Sequence, residues 1–231
     1  MDIEQNVARI RAELAGAALA AGRRPEEILL IAASKMNDAE RVRRAIAAGV
    51  DACGENRVQE MLEKHAQGAY AGAPLHFIGH LQKNKVKQVV GLASLIHSAD
   101  SLELLRTVDR VAAARDLKQD VLLEVNIGAE ASKSGFSPDE LPGAMEEIAL
   151  LPAVRVRGLM AIPPICVSGE ENRPFFIKMK QLFIDIDEKK YDNVSMDFLS
   201  MGMSGDYLSA VACGANMVRI GSAIFGARHY Q

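Results

Sequence analysis

Eight residues, ILLIAASK from Ile28 to Lys35, run from an apolar segment straight to a lysine with one hydroxyl residue between. Taking an ammonium out of water is costly unless it is paired or sheds its proton. A partly desolvated lysine attacks carbonyls as the free amine, so Lys35 is a candidate for a Schiff base; the ordinary alternative is a stem that reaches solvent. A carbonyl compound held there needs a second anchor. SMGMSGD (200–206) sets Gly202 and Gly205 around Ser204, and VRIGSAIFGAR (218–228) contains Gly221-Ser222. Backbone N–H groups at such small-residue turns, with the hydroxyls beside them, cradle anions. Either pair alone is a common turn; the two together point to phosphate. Arg219 lies between Val218 and Ile220, inside an apolar run, and its side chain faces either a core interior or a helix layer. A guanidinium has donors only, so a ring nitrogen facing it must act as an unprotonated acceptor. Asn56, in GENR, adds an amide to the same set or caps the following helix.

Other clusters carry less. His76 and His80 are four apart, but the intervening Gly79 breaks any common helical face and no H-E-x-x-H pattern accompanies them, so a metal reading is set aside. Lys83, Lys85 and Lys87 lack interleaved aromatics and read as a solvated helix. SKSGF (132–136) is a further lysine-bearing loop with no assigned task, and no G-x-S-x-G elbow is present.

Short apolar runs alternate with amphipathic stretches throughout. Eight strands are expected: Ile28 to Ser34, Val50 to Gly54, Leu75 to Gly79, Leu95 to Ser98, Val121 to Asn126, Val156 to Ile162, Met196 to Ser200 and Met217 to Ile220. Between them Ile3, Val7, Ile10 and Leu14 form one helical stripe, and Leu104, Leu105, Val108, Val111 and Ala112 another. Helix starts are expected at Asn37, at Asp100, and at Ser137-Pro138-Asp139-Glu140. The alternation makes parallel β-α units, and eight of them without a G-x-G-x-x-G after the first strand favour a closed (β/α)8 TIM barrel over a doubly wound sheet. In such a barrel the C-terminal ends of the strands build the site, which is where Lys35, Asn56, Ser204 and Gly221-Ser222 fall. Residues 163–175 read as a long loop on that face, a solvated connection rather than a lid.

The 231 residues are expected to form one domain, 1–231. A composition 49% hydrophobic and 25% charged is that of a globular protein, and a net charge of -3 gives no electrostatic reason to expect nucleic acid or an anionic membrane. Charges through the first fifteen residues leave no signal-peptide core, so a cytoplasmic location is expected. Cys53, Cys166 and Cys213 fit neither a disulfide framework nor a zinc site and read as reduced thiols, two of them buried.

The motifs IAASK, GENRVQE, HFIGHLQKNK, IHSADS, VNIGAEASKSGF, RGLMAIPP, LSMGMSGD and MVRIGSAIFGAR, in this order, closely resemble the pyridoxal phosphate homeostasis proteins, the YggS or PROSC family. The resemblance extends over nearly the whole chain. It implies an alanine racemase-type barrel without the second β-domain of the racemases, and pyridoxal 5′-phosphate (PLP) held on Lys35. It further implies phosphate contacts from Ser204, Gly221 and Ser222, Arg219 at the pyridine nitrogen, and Asn56 near the ring. Met36 and Ser222 depart from residues frequent in that family, which bears on packing more than on chemistry.

Two readings stay open. In the first the chain is a carrier or buffer of PLP in vitamin B6 homeostasis, without turnover, a monomer that passes its cofactor to apo PLP-dependent enzymes. In the second it is an enzyme: a PLP-dependent amino acid racemase, or a Schiff-base aldolase acting on a sugar phosphate. A racemase needs a second proton-transfer group across the ring, for which Tyr207 and His80 are the candidates.

Overall fold

The computed structural model describes residues 2–130, 132–164 and 168–226. Eight parallel strands close into a barrel in sequence order: β1 (Leu29–Ala33), β2 (Ala52–Glu55), β3 (Leu75–Phe77), β4 (Leu95–Ala99), β5 (Gln119–Val125), β6 (Val154–Ala161), β7 (Val194–Ser200) and β8 (Met217–Ile220). Closure pairs the first strand with the last, Ile31 lying opposite Arg219 and Ala32 opposite Ile220. All eight expected strands are present, with ends moved by a few residues, and the barrel is the expected one.

The helices are α1 (Ile3–Ala20), α2 (Ala39–Ala47), α3 (Val58–Ala66), α4 (Val86–Val89), α5 (Leu102–Ala113), α6 (Leu141–Ile148), α7 (Arg173–Glu188), α8 (Tyr207–Ala212) and α9 (Ser222–Phe225). Both predicted stripes are buried: Ile3, Val7, Ile10 and Leu14 are at most 2% exposed, and Leu104 to Ala112 line the inner face of α5. Each such aliphatic side chain contributes roughly 1.5–3 kcal/mol of burial.

Period-two alternation divides each strand between two cores. Leu30 and Ala32 pack outward on the helices, whereas Ile31 joins Ala52, Leu95, Leu122, Met160 and Met217 inside the barrel. The same alternation settles Arg219: Val218 and Ile220 face the helices and Met217 the interior, so the guanidinium points into the barrel.

Several local expectations are corrected. The cap of α2 is Asp38, whose carboxylate accepts the Arg41 N–H at 2.8 Å, and Asn37 instead donates its amide to the Lys35 carbonyl at 3.0 Å. The cap of α5 is Ser101, whose hydroxyl accepts from Leu104 N–H, while Asp100 accepts from Ser101. Each lies one residue later than expected, where the oxygen meets the N–H three residues on. Ser137 and Glu140 do bond to each other, but in a turn, and α6 begins at Leu141. Pro142 lacks the N–H that a helix started earlier would require of it. Residues 163–175 are not one loop: Gly169–Asn172 is a 3-10 turn with a Ser168–Glu171 capping box, and α7 starts at Arg173. Asn172 is 3% exposed and donates to Asp206 at 2.9 Å, so this part is anchored rather than solvated. Cys53 is buried and Cys213 half-buried, both free thiols, and Cys166 lies outside the described residues.

Candidate active site at the C-terminal mouth of the barrel

Between the ends of β1, β7 and β8 lies a cavity of about 570 Å³, lined by Lys35, Ser204, Arg219, Gly221 and Ser222 among others. That volume falls in the range of small-molecule sites. Five of the six residues singled out in the sequence therefore share one pocket. Asn56 does not line it and does not cap α3, whose first turn follows Arg57 without a side-chain cap. Its Oδ1 is buried without a partner, and its backbone packs so closely on Gly79 that a Cβ there would lie 2.2 Å from the Asn56 carbonyl.

Each element places its residue for a local reason. Lys35 stands in the turn after β1, and barrel closure sets it beside the end of β8. Gly202 (φ +94) turns the chain from β7 toward α8, and a Cβ there would come within 2.7 Å of Ala210 and 3.0 Å of Tyr207. The following loop is braced by Asp206, whose carboxylate accepts the Met203 N–H at 2.6 Å and the Asn172 amide. The Ser204 hydroxyl accepts the Ala223 N–H at 3.4 Å, joining the two small-residue loops. Arg41, unremarked in the sequence, adds a second guanidinium to the wall; it donates to the Phe225 carbonyl, and its Nε is buried without a partner. The lining thus carries Lys35, Arg41 and Arg219 against one carboxylate, Asp38, a donor set suited to a phosphorylated ligand.

Beneath the cavity runs a buried polar chain that strand alternation assembles from β3, β4, β7 and β8. Arg219 donates to the Ser200 hydroxyl at 2.5 Å and to the Ala161 carbonyl at 2.9 Å. Ser200 meets His97 Nδ1 at 3.1 Å, and His97 Nε2 meets His76 Nδ1 at 3.0 Å. The guanidinium can only donate, so Ser200 accepts from it, and in the tautomer that gives the buried Ser200 hydroxyl an acceptor its proton goes to His97 Nδ1. His97 then carries its proton on Nε2 and donates to His76, and every bond in the chain runs one way. Burial pushes His76 down to about 4 and, with His76 and Arg219 nearby, pushes His97 well below the usual imidazole value, so both rings are neutral. Burial lowers Arg219 to about 10, with Glu124 and Asp206 opposing, and leaves it charged at neutral pH. Burial and the neighbouring Asp100 raise Glu124 to about 7, Arg219 opposing.

His76 and His80 part company, His76 going to the interior and His80 to the surface, where it meets Asp100 at 3.2 Å. Tyr207 donates to Glu13 of α1. Neither Tyr207 nor His80 lines the Lys35 cavity. The sequence reading missed His97, Ser200, Arg41 and Asp206. Inward-facing polar residues in otherwise apolar strands, as in LIHSA and DFLS, were the available signal for the first two.

A sequential eight-stranded barrel with a lysine after its first strand and small-residue loops after its last two defines a class, and residues 2–229 match the family model described as alanine racemase, N-terminal domain. A pyridoxal phosphate homeostasis protein of Pseudomonas aeruginosa is 40% identical over 228 residues, 99% of this chain and 96% of the relative. The chain belongs to the family of pyridoxal phosphate homeostasis proteins. PipY of Synechococcus elongatus, solved with PLP bound, superposes with a TM-score of 0.84 at 31% identity, covering 97% of this chain and all of that one. An alanine racemase of Clostridium difficile shares the fold at 16% identity (TM-score 0.73), this chain spanning 58% of its length and 98% of its own.

Proposed function

We propose that this chain binds PLP in the Lys35 cavity and serves vitamin B6 homeostasis as a carrier or buffer without turnover of its own. The observation that carries the reading is the convergence of Lys35, Arg219 and the two small-residue loops on one cationic cavity. When bound, the cofactor supplies an aldehyde that condenses with a primary amine and a pyridine ring that can withdraw electrons. Lys35 Nζ is the amine for the aldehyde. Ser204, Gly221 and Ser222 hold the phosphate, with Arg41 contributing charge. Arg219, a donor by its own chemistry and held in place by its bonds to Ser200 and the Ala161 carbonyl, faces the pyridine nitrogen and keeps it unprotonated, which weakens the ring as an electron sink. That choice disfavours carbanion chemistry and favours reversible holding. Asn56, with its unpartnered Oδ1, stands near the ring in this reading. The placement of Tyr207 and His80 away from the cavity supports the carrier over a racemase.

The same reading makes the protein a cytoplasmic monomer that releases PLP to apo-enzymes. No helix among the described residues is long and apolar enough to cross a membrane.

Borohydride reduction after PLP addition, followed by peptide mass mapping, tests the assignment. The label is expected on Lys35 and lost in Lys35→Ala; a label that persists elsewhere at parental yield refutes Lys35 as the amine. Deuterium incorporation at the α-carbon of an amino acid, lost in the same variant, would support the racemase instead.

A further inference from the structure

The turn that carries Lys35 rests on a buried ionic cluster. Lys64 of α3 is 5% exposed, and its ammonium donates to the Ser34 carbonyl at 2.7 Å while pairing with Glu55 and Glu60, each at 2.7 Å. Three donors meet three acceptors. Glu60, one turn before Lys64 on the same helix face, also accepts the Met36 N–H. Glu55 is fully buried, and its Oε1 further accepts the Ser34 hydroxyl at 2.6 Å and the Tyr70 hydroxyl at 3.0 Å. The cluster thus grips the backbone on both sides of Lys35, the carbonyl before it and the amide after it.

Met36 stands at φ +62, a left-handed conformation that costs a residue with a Cβ roughly 1–2 kcal/mol. Its side chain is 59% exposed, so packing does little to offset that cost; the Glu60 carboxylate on the Met36 N–H holds the conformation together with the Asn37 N–H, which donates to the Ser34 carbonyl at 3.1 Å across the same turn. A buried ion pair is also a poor source of net stability, because desolvation consumes most of its Coulombic gain. What such a cluster supplies is geometry.

We infer that Glu60 and Lys64, with Glu55, form an ionic clamp that fixes the Lys35 turn, and that Glu60 and Lys64 are positioning residues for the Lys35 amine. This rests on the reading of Lys35 as the amine that takes the aldehyde. The left-handed Met36 reverses the chain directly after Lys35. A turn free to relax would spread the amine over orientations of which few reach the carbonyl, and misplacements of about 1 Å can cost about a hundredfold in reactivity.

The test compares PLP with pyridoxine 5′-phosphate, which carries an alcohol in place of the aldehyde. The parent protein is expected to prefer the aldehyde strongly. Glu60→Met keeps the side-chain length and the Glu55–Lys64 pair but removes the oxygen that takes the Met36 N–H and the Lys64 ammonium, and is expected to weaken PLP about tenfold or more while leaving pyridoxine 5′-phosphate within about twofold. In the cofactor-free protein the Met36 amide of this variant should exchange about tenfold faster. Lys64→Met should act in the same direction; it strands two carboxylates and loses stability too, so Glu60→Met decides. If Glu60→Met retains the parental aldehyde preference and the parental Met36 exchange, the clamp is refuted. If the parent itself shows no aldehyde preference, the Lys35 reading fails first and the clamp with it.

Discussion

Replacing Ser200 by Ala removes one oxygen that both accepts from Arg219 and donates to His97. Ser200 and His97 are fully buried and Arg219 is 4% exposed, so water has little access to the groups left behind. Arg219 keeps its bond to the Ala161 carbonyl but loses a partner for one donor, and His97 Nδ1 becomes an orphaned acceptor. A buried orphan costs about 1–3 kcal/mol, more when charged, so Ser200→Ala should destabilise the fold by about 4 kcal/mol. This is a large share of the stability of an ordinary domain. Urea unfolding at pH 8, with the slope checked against the parent, measures it. Adding His97→Phe to Ser200→Ala removes the orphaned acceptor, so its cost in that background should be lower than in the parent. Histidine ¹⁵N shifts provide the direct check on direction: His97 and His76 should both be neutral and protonated on Nε2. A loss below about 1 kcal/mol, or a His97 protonated on Nδ1, refutes the one-way chain.

Glu124→Gln should change the pH dependence of stability. A carboxyl raised to about 7 in the folded state holds a proton that the unfolded chain releases near 4.5. Its contribution is therefore complete below about pH 4.5 and is lost as pH rises through 7. The variant should gain on the parent across that window by up to roughly 3 kcal/mol in urea titrations, and parallel profiles would refute the assignment. Gly202→Ala forces a Cβ against Ala210 and Tyr207 at positive φ and should cost about 2–4 kcal/mol in stability, with phosphate affinity falling as the loop shifts. Gly16→Ala, where an added Cβ meets nothing within 4 Å in the middle of α1, should instead stabilise by about 0.5–1 kcal/mol; thermal melts of the two should move in opposite directions.

The eight strands and the two helical stripes were legible because each is written locally, as a run of aliphatic residues or a repeat of three and four. Lys35 was legible because a lysine is unusual at the end of an apolar run, and Ser204 and Gly221-Ser222 because two small-residue turns occur together near the end of the chain. The caps were displaced by one residue because Asn37 and Asp38, or Asp100 and Ser101, are equally good caps on paper, and only the geometry of the first turn chooses. Residues 163–175 looked irregular because of their prolines, Gly169 and the Glu170-Glu171 pair, yet Asn172 ties the later part of that segment to Asp206.

By itself the sequence determined the alternation of elements, hence the barrel, and the residue types able to hold an aldehyde and a phosphate. Tertiary structure decided which of them meet. Closure of β1 on β8 brings Lys35 beside Arg219 across almost the whole chain, and no periodicity encodes a pairing at that separation. The inward turn of Arg219, the histidine chain that fixes it and the Lys64 cluster under the Lys35 turn are likewise through-space facts. Each depends on which face of a strand or helix meets its neighbour. A buried charge reads the same in a sequence whether its partner is one turn away or on another strand.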